Sequence, residues 1–287
     1  MIIAVASGKG GTGKTTVATN LAEMAGNPVT LLDCDVEAPN CHLFLKISNS
    51  TENVFRVFVP DIDRDKCTLC RQCIDICQFN VLAAVAGRIL VFPELCHSCL
   101  GCQRICPENA VLDGIREVGS IHSGKKRHIH HIYGRLKIGE AMAPPLIRQM
   151  LKETISKHMS KVIIIDAPPG TSCPMVAAVQ SADFVLLVTE PTPFGFHDLK
   201  LAIDVVKSLK LPHGVVINRC DTGSRDVMNY CLKEKIPVLL QIPESRDVAE
   251  AYASGKLMVD ISENYRNDFK NLFQKLILQD FHRKESA

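Results

Sequence analysis

Six short apolar runs rich in β-branched residues punctuate the chain: Ile2–Ala6, Val29–Asp33, Val162–Asp166, Phe184–Thr189, Gly214–Asn218 and Val238–Ile242. Runs of this kind read as strands buried on both faces, as in a parallel sheet. Between them, helical patterns cover Thr16–Met24, Pro145–His158, Asp198–Leu209 and Arg225–Lys235. Strands alternating with helices build βαβ units, so the pattern predicts an α/β fold with a doubly wound, mostly parallel sheet. Ligands in such folds sit at the carboxyl ends of the strands.

The rhythm breaks after the second strand. Eight of the 13 cysteines fall between Cys67 and Cys106. This shift in composition marks an inserted module over residues 61–112, splitting the main domain into residues 1–60 and 113–287. The stretch "IREVGSIHSGKKRHIHHIYGRLKIG" then alternates apolar and polar positions around Ser123-Gly124. It predicts a hairpin joining the insert to the main domain. On that hairpin His128 and His130 share one face and His131 takes the other, and a solvated face is expected because no carboxylate or cysteine accompanies them. Near the C-terminus Phe269, Leu272, Phe273 and Leu276 recur at helical spacing, as in a helix that caps the sheet.

Composition adds limits. Hydrophobic residues make up 46% and charged residues 22% of the 287, as in an ordinary globular protein. A net charge of +2 gives no argument for a nucleic-acid partner. No apolar run reaches the ~18 residues of a membrane span, and "MIIAVA" is too short for a signal peptide, so a cytoplasmic protein without stable membrane insertion is expected. In a reducing compartment the cysteines point to metal rather than disulfides.

"GKGGTGKT", Gly8 to Thr15, fits G-x-x-x-x-G-K-[ST], with a strand before it and a helix after it. Gly8, Gly10, Gly11 and Gly13 let backbone N–H groups turn toward phosphate oxygens, with Thr12 between them and Thr16 opening the helix. Lys14 is expected at the β- and γ-phosphates and Thr15 at Mg²⁺. The guanine-reading N-K-x-D pattern is absent, because Asn218 is followed by Arg219 and Cys220, so the nucleotide is expected to be ATP or ADP.

Cys67, Cys70, Cys73 and Cys77 follow C-x₂-C-x₂-C-x₃-C, and so do Cys96, Cys99, Cys102 and Cys106. Each cysteine has a counterpart 29 positions on, and Asn80 and Asn109 keep that offset, which marks an internal repeat. Three thiolates on one turn hold three corners of a cubane, and in two-cluster ferredoxins the fourth comes from the other half. The expected ligand sets are therefore Cys67, Cys70, Cys73 and Cys106 for one [4Fe–4S] cluster and Cys96, Cys99, Cys102 and Cys77 for the other. Structural zinc also favours C-x₂-C pairs, but it leaves the third and fourth cysteines of each run unexplained. Gln78 stands where a proline is expected after Cys77. Cys34, Cys41, Cys220 and Cys231 read as small buried hydrophobes, and so does Cys173, seven residues after Asp166.

Lys9 is an additional lysine that a phosphate loop does not need. With Gly10, Gly11, Lys14 and Thr15 it gives K-G-G-x-x-K-[ST], and here the chain resembles the deviant Walker A ATPases of the MinD/ParA/Mrp type. The resemblance implies that Lys9 reaches the nucleotide of a second subunit. It implies that Asp35 orients the attacking water and that Asp33 is an outer Mg²⁺ partner. Asp166 corresponds to the Walker B carboxylate, and Pro168-Pro169-Gly170-Thr171 to the second switch. Asn218 corresponds to a position on the adenine edge, and "IPES", Ile242 to Ser245 around Pro243, to the loop flanking the base. The cysteine module makes the closest resemblance one to family members with an inserted two-cluster ferredoxin-like domain. An ATP-dependent homodimer, or a heterodimer with a paralogue, is then expected, acting on a redox or metal-cofactor protein. Three roles compete: ATP-gated electron donor, cluster carrier or maturation factor, and MinD-like positioning protein with structural clusters.

Overall fold

The computed structural model describes residues 1–157 and 160–278. In chain order the strands are β1 (Ile2–Ala6), β2 (Val29–Asp33), β3 (Ser48–Ile62), β4 (Leu82–Val85), β5 (Arg88–Val91), β6 (Val111–Lys126), β7 (Ile129–Leu136), β8 (Val162–Asp166), β9 (Phe184–Thr189), β10 (His213–Asn218) and β11 (Val238–Ile242). The helices are α1 (Lys14–Glu23), α2 (Cys41–Leu45), α3 (Gln72–Asp75), α4 (Gly101–Ile105), α5 (Pro144–Ser156), α6 (Cys173–Val179), α7 (Pro193–Ser208), α8 (Asp226–Lys233), α9 (Arg246–Ala253) and α10 (Glu263–Leu278).

Nine strands form one sheet in the order β11-β10-β9-β1-β8-β2-β7-β6-β3. Strands β1, β2 and β7 to β11 pair in parallel. Each of the six expected strands is present. Apolar side chains leave both faces of the sheet, so each face needs a helical layer. One face packs on α5, α6, α7 and α8 through residues such as Leu146, Met175, Leu199 and Val227. The other packs on α1, α2 and α10 through Val17, Leu21, Phe44, Phe269, Leu272 and Leu276. The apolar stripe on the C-terminal helix therefore closes a core. Among the described residues no helix is long and apolar enough to cross a membrane.

The expected hairpin is part of this sheet, and its turn lies elsewhere. Ser123 and Gly124 sit inside β6, opposite Ile132 and His131. The chain reverses at Arg127 and His128, with Arg127 at φ 51°. The carboxylate of Glu23, at the end of α1, explains the shift. It lies 3.5 Å from Lys126 Nζ and 3.4 Å from Arg127 Nη1, so it draws the basic tip of the ribbon onto the helix. This tertiary pairing outweighs the turn preference of Ser-Gly.

On its other side β6 runs antiparallel to β3 as far as Val111 and Ile62. Residues 63–110 lie at that far end of the ribbon and include α3, β4, β5 and α4. Val59, Val81, Leu82, Ile89 and Val111 pack there with Cys73, Cys96 and Cys102.

Helix α7 begins five residues before its expected start. The Thr192 hydroxyl accepts the Gly195 N–H at 3.0 Å, and Pro193 opens the first turn. Both are helix-start signals. Helix α5 spans Pro144–Ser156, and His158 lies outside the described residues.

Phe269 is fully buried between α10 and the sheet. Phe269→Ala is expected to cost ~3–5 kcal/mol in denaturant unfolding. A cost below ~1 kcal/mol would show that α10 is not part of the folded core.

Candidate functional site

The loop between β1 and α1 turns on Gly13, at φ 94°, a conformation open to glycine. A Cβ there would also approach Asn218 Nδ2 to 2.5 Å, and one on Gly8 would meet the Asp198 carbonyl oxygen at 2.1 Å. Sterics as well as phosphate access therefore demand glycine at these two places. Asn218 Nδ2 donates to the Thr12 carbonyl at 2.9 Å, which ties the end of β10 to the loop. The Gly170 N–H donates to the Ser7 carbonyl at 3.0 Å and ties down the segment after β8.

A cleft of about 400 Å³ opens over this loop. Gly10, Gly11, Gly13, Lys14, Thr15, Thr16, Asp35, Asn218 and Pro243 line it, together with Asn40 and Pro169. Gly8, Lys9, Thr12, Asp33, Asp166 and Gly170 are not part of that lining. The far wall is Arg219, Glu244, Ser245, Val248, Ala249, Tyr252 and Met258. Sequence reasoning reaches this wall along "IPES", as far as Ser245, but not at Val248, Ala249, Tyr252 or Met258. The only signals there were an apolar stripe on a short helix, α9, and a tyrosine with no motif around it.

Acidic groups converge at the floor. Thr15 Oγ1 donates to Asp166 Oδ2 at 2.6 Å. Lys14 Nζ lies 3.4 Å from Asp166 Oδ1 and 3.9 Å from Asp35 Oδ2. Burial opposes the charge on Lys14, but Asp166, Asp35 and Asp33 together outweigh it and raise its pKa above the ordinary lysine value. Burial likewise raises Asp35 despite Lys14. Asp33 is fully buried, and burial together with neighbouring Asp166 pushes it up to about 7. Its carboxylate accepts the N–H groups of Asp35 (3.1 Å), Asn40 (3.0 Å) and Cys41 (3.0 Å), so it clasps the loop from β2 to α2. Lys9 forms an ion pair with Glu190 of its own chain, and Arg219 Nη1 lies 3.3 Å from the same carboxylate.

Two neighbouring parallel strands ending in buried aspartates, with a lysine and a threonine of a glycine loop against them, offer the donor types that a polyphosphate and a divalent cation call for. Residues 3–258 match the family profile described as the CobQ/CobB/MinD/ParA nucleotide binding domain. The chain belongs to that family. It is a P-loop ATPase of the MinD/ParA type. An uncharacterised protein of Methanocaldococcus jannaschii is 31% identical over 283 residues, covering 96% of each chain. The iron–sulfur cluster carrier protein of the same organism is 25% identical over 299 residues, covering 96% of this chain and 83% of its own. The MinD structure from Pyrococcus horikoshii, complexed with Mg-ADP, shares the fold with a TM-score of 0.61, at 20% identity over 98% of both chains.

Away from the ATPase cleft, Cys67, Cys70, Cys73 and Cys106 line one small pocket. Cys77, Cys96, Cys99 and Cys102 line another. The 29-residue repeat extends to the backbone. Leu69 and Ser98 have φ 58° and 57°, Arg71 and Leu100 have 66° and 63°, and Asn80 and Asn109 have 54° and 50°. Asparagine tolerates the left-handed region better than most residues, which accounts for the matched pair. Backbone N–H groups point at sulfur: Ser98 N to Cys96 Sγ at 3.4 Å, and Ala110 N to Cys106 Sγ at 3.3 Å. Burial raises the thiols of Cys73, Cys96 and Cys102, the last to about 11, so ionising them together calls for cationic partners.

Among the remaining cysteines, Cys34 and Cys231 are buried as expected, Cys220 is half-buried and Cys173 is exposed. Three expectations fail here, that of a buried Cys173 among them. Cys41 is buried, but it is no simple hydrophobe, because its Sγ lies 3.4 Å from Asp166 Oδ2. His131 does not sit on a solvated face. It is 0% exposed, because β7 is an interior strand between β2 and β6.

Lys14 is the cation within reach of both Asp35 and Asp166, and charge-assisted bonds of this kind are worth ~1.5–3 kcal/mol each. Lys14→Ala is expected to weaken Mg-ADP binding about 100-fold by titration calorimetry. Unchanged affinity would place the phosphates elsewhere.

Proposed function

We propose that this ATPase carries two [4Fe–4S] clusters and couples their redox state to a nucleotide-driven dimer switch, serving electron transfer or metal-cofactor and iron–sulfur protein maturation. The observation that carries the reading is the crossed grouping of the cysteines. Each pocket takes three from one run and its fourth from the other, as two cubanes require. Zinc would need no such exchange. Cys67, Cys70, Cys73 and Cys106 would hold one cluster, and Cys77, Cys96, Cys99 and Cys102 the other. The clusters supply one-electron chemistry, and the N–H groups aimed at Cys96 and Cys106 favour the reduced, more negative state of each.

At the nucleotide, Thr15 and Asp166 are the oxygen donors suited to Mg²⁺, which would offset phosphate charge. Lys14 compensates the phosphates directly, and Asp35 is placed to orient a water. Asn218, Pro243 and the wall around Tyr252 suit an adenine ring. Lys9 would exchange Glu190 for the nucleotide of a second subunit.

A physical route joins the two sites. The Asp33 clasp sets the start of α2, and α2 runs into β3 and so to the cysteine ribbon. His42 of α2 stacks on Tyr133 at 4.9 Å, and Tyr133 stacks on His122 of β6 at 4.5 Å. A rearrangement of the loop after β2 therefore bears on both strands that carry the module.

The competing roles are weaker on physical grounds. A positioning role at a lipid surface needs a free C-terminal helix, yet the apolar stripe of α10 is buried. The distant relatives named iron–sulfur cluster carrier proteins keep a maturation role in view. Eight thiolates saturate two cubanes, however, and closed shells suit electron transfer better than donation.

Anaerobically prepared protein is expected to hold about eight iron and eight sulfide per chain. Cys67→Ser should damage one cluster and Cys173→Ser neither. Stoichiometric zinc without sulfide would end the reading. Lys9→Ala should keep nucleotide but lose ATP-dependent dimerisation in sedimentation. A wild type that stays monomeric in every nucleotide state would remove the dimer switch.

A further inference from the structure

Beneath the nucleotide cleft Asp33 meets two side chains, Cys41 and His131, that neither the ATPase chemistry nor the iron–sulfur reading uses. β2 and β7 are parallel neighbours with Leu31 opposite His131 and Asp33 opposite Tyr133. Alternation puts Asp33 and His131 on the same face of the sheet, one step apart along adjacent strands. Helix α2 covers that face, and the Asp33 carboxylate holds the N–H of its first residue, Cys41, at 3.0 Å. A carboxylate oxygen of Asp33, the Cys41 sulfur and a ring nitrogen of His131 all lie within 4.8 Å of one another. All three residues are 0% exposed.

His131 is the telling member. Neither of its ring nitrogens has a hydrogen-bond partner, although both are buried. Buried polar atoms are almost always satisfied, and an exception calls for an explanation, of which a bound ion is one. Its ring stacks on Tyr133, with centroids 5.3 Å apart, which holds its orientation beside the other two groups. The neighbours compound the problem. Asp166 is fully buried alongside, and Cys41 Sγ is 3.4 Å from its Oδ2. Lys14 is engaged by Asp166 and Asp35.

We propose that Asp33, Cys41 and His131 form a binding site for one zinc-class divalent cation, distinct from the Mg²⁺ position at Thr15 and from the eight cysteines of the module. The donor set is one oxygen, one sulfur and one nitrogen. Zinc takes all three donor types in four-coordinate sites, whereas Mg²⁺ selects oxygen and keeps its waters. Binding converts the Cys41 thiol to a thiolate, and its proton leaves to solvent. The 2+ charge of the ion then balances Asp33 and Cys41, and His131 contributes a neutral lone pair. The same carboxylate that ligates the ion clasps residues 35–41, so occupancy bears on the loop that faces the nucleotide.

The test is a crystal of the full wild-type chain, prepared anaerobically with stoichiometric Zn²⁺, passed through gel filtration, and measured on both sides of the zinc absorption edge. An anomalous peak is expected between Asp33, Cys41 and His131, separate from any iron signal. In solution, Cys41→Ser and His131→Gln should each bind at least ~10-fold less tightly the one zinc assigned to this site. Millimolar Mg²⁺ should not displace that zinc from wild type. No zinc peak at this triad, or zinc confined to the eight module cysteines, overturns the proposal whether or not the variants fold. The iron–sulfur reading stands or falls separately, on iron and sulfide content.

Discussion

Asp33 and Asp166 end neighbouring parallel strands directly opposite each other, and both are fully buried. Two carboxylates in that position repel each other and lose hydration. Much of the surrounding structure answers this constraint. Lys14 is drawn in toward Asp166 and Asp35, the Thr15 hydroxyl donates to Asp166, and three backbone N–H groups converge on Asp33. The clasp on Asp33 also sets where α2 begins. The repulsion that calls for a divalent cation at the phosphates thus also positions the loop that leads to the cysteine ribbon.

The central strands were readable almost residue by residue, because a strand buried on both faces leaves a dense apolar run that little else produces. The phosphate loop and the two cysteine runs were readable because their chemistry demands residue types at set spacings. The ribbon was harder. β3 mixes polar and apolar residues, and its partner β6 begins 49 residues after β3 ends, so no local pattern announces the pair. The turn at Arg127 is set by Glu23, more than 100 positions away. His131 shows the same limit. Alternation along "HIHHIYG" separates its face from that of His130, but only the neighbour β2 decides that the face is buried. The cleft wall from Val248 to Met258 was missed for a related reason, because it is held together by packing on the sheet and carries no motif.

The nucleotide cleft and the cysteine pockets share one covalent and packing route. It runs from Asp33 through the loop to α2, into β3, and back through His42, Tyr133 and His122 to β6. Both arms of the ribbon are thus tied to the loop that lines the phosphate site. A change there is transmitted only if the loop has two arrangements that nucleotide and cluster bias differently. If ATP distinguishes oxidised from reduced clusters, linkage requires reduction to change ATP affinity by the same factor.

The most direct test is a potentiometric titration of the cluster-loaded Asp35→Ala variant, which should hold ATP unhydrolysed, with and without saturating Mg-ATP. Couplings of ~1–3 kcal/mol are typical, and a tenfold change for a one-electron couple is about 59 mV. The account predicts a shift of several tens of millivolts in at least one cluster. Identical potentials, together with an ATP affinity indifferent to reduction, would contradict it.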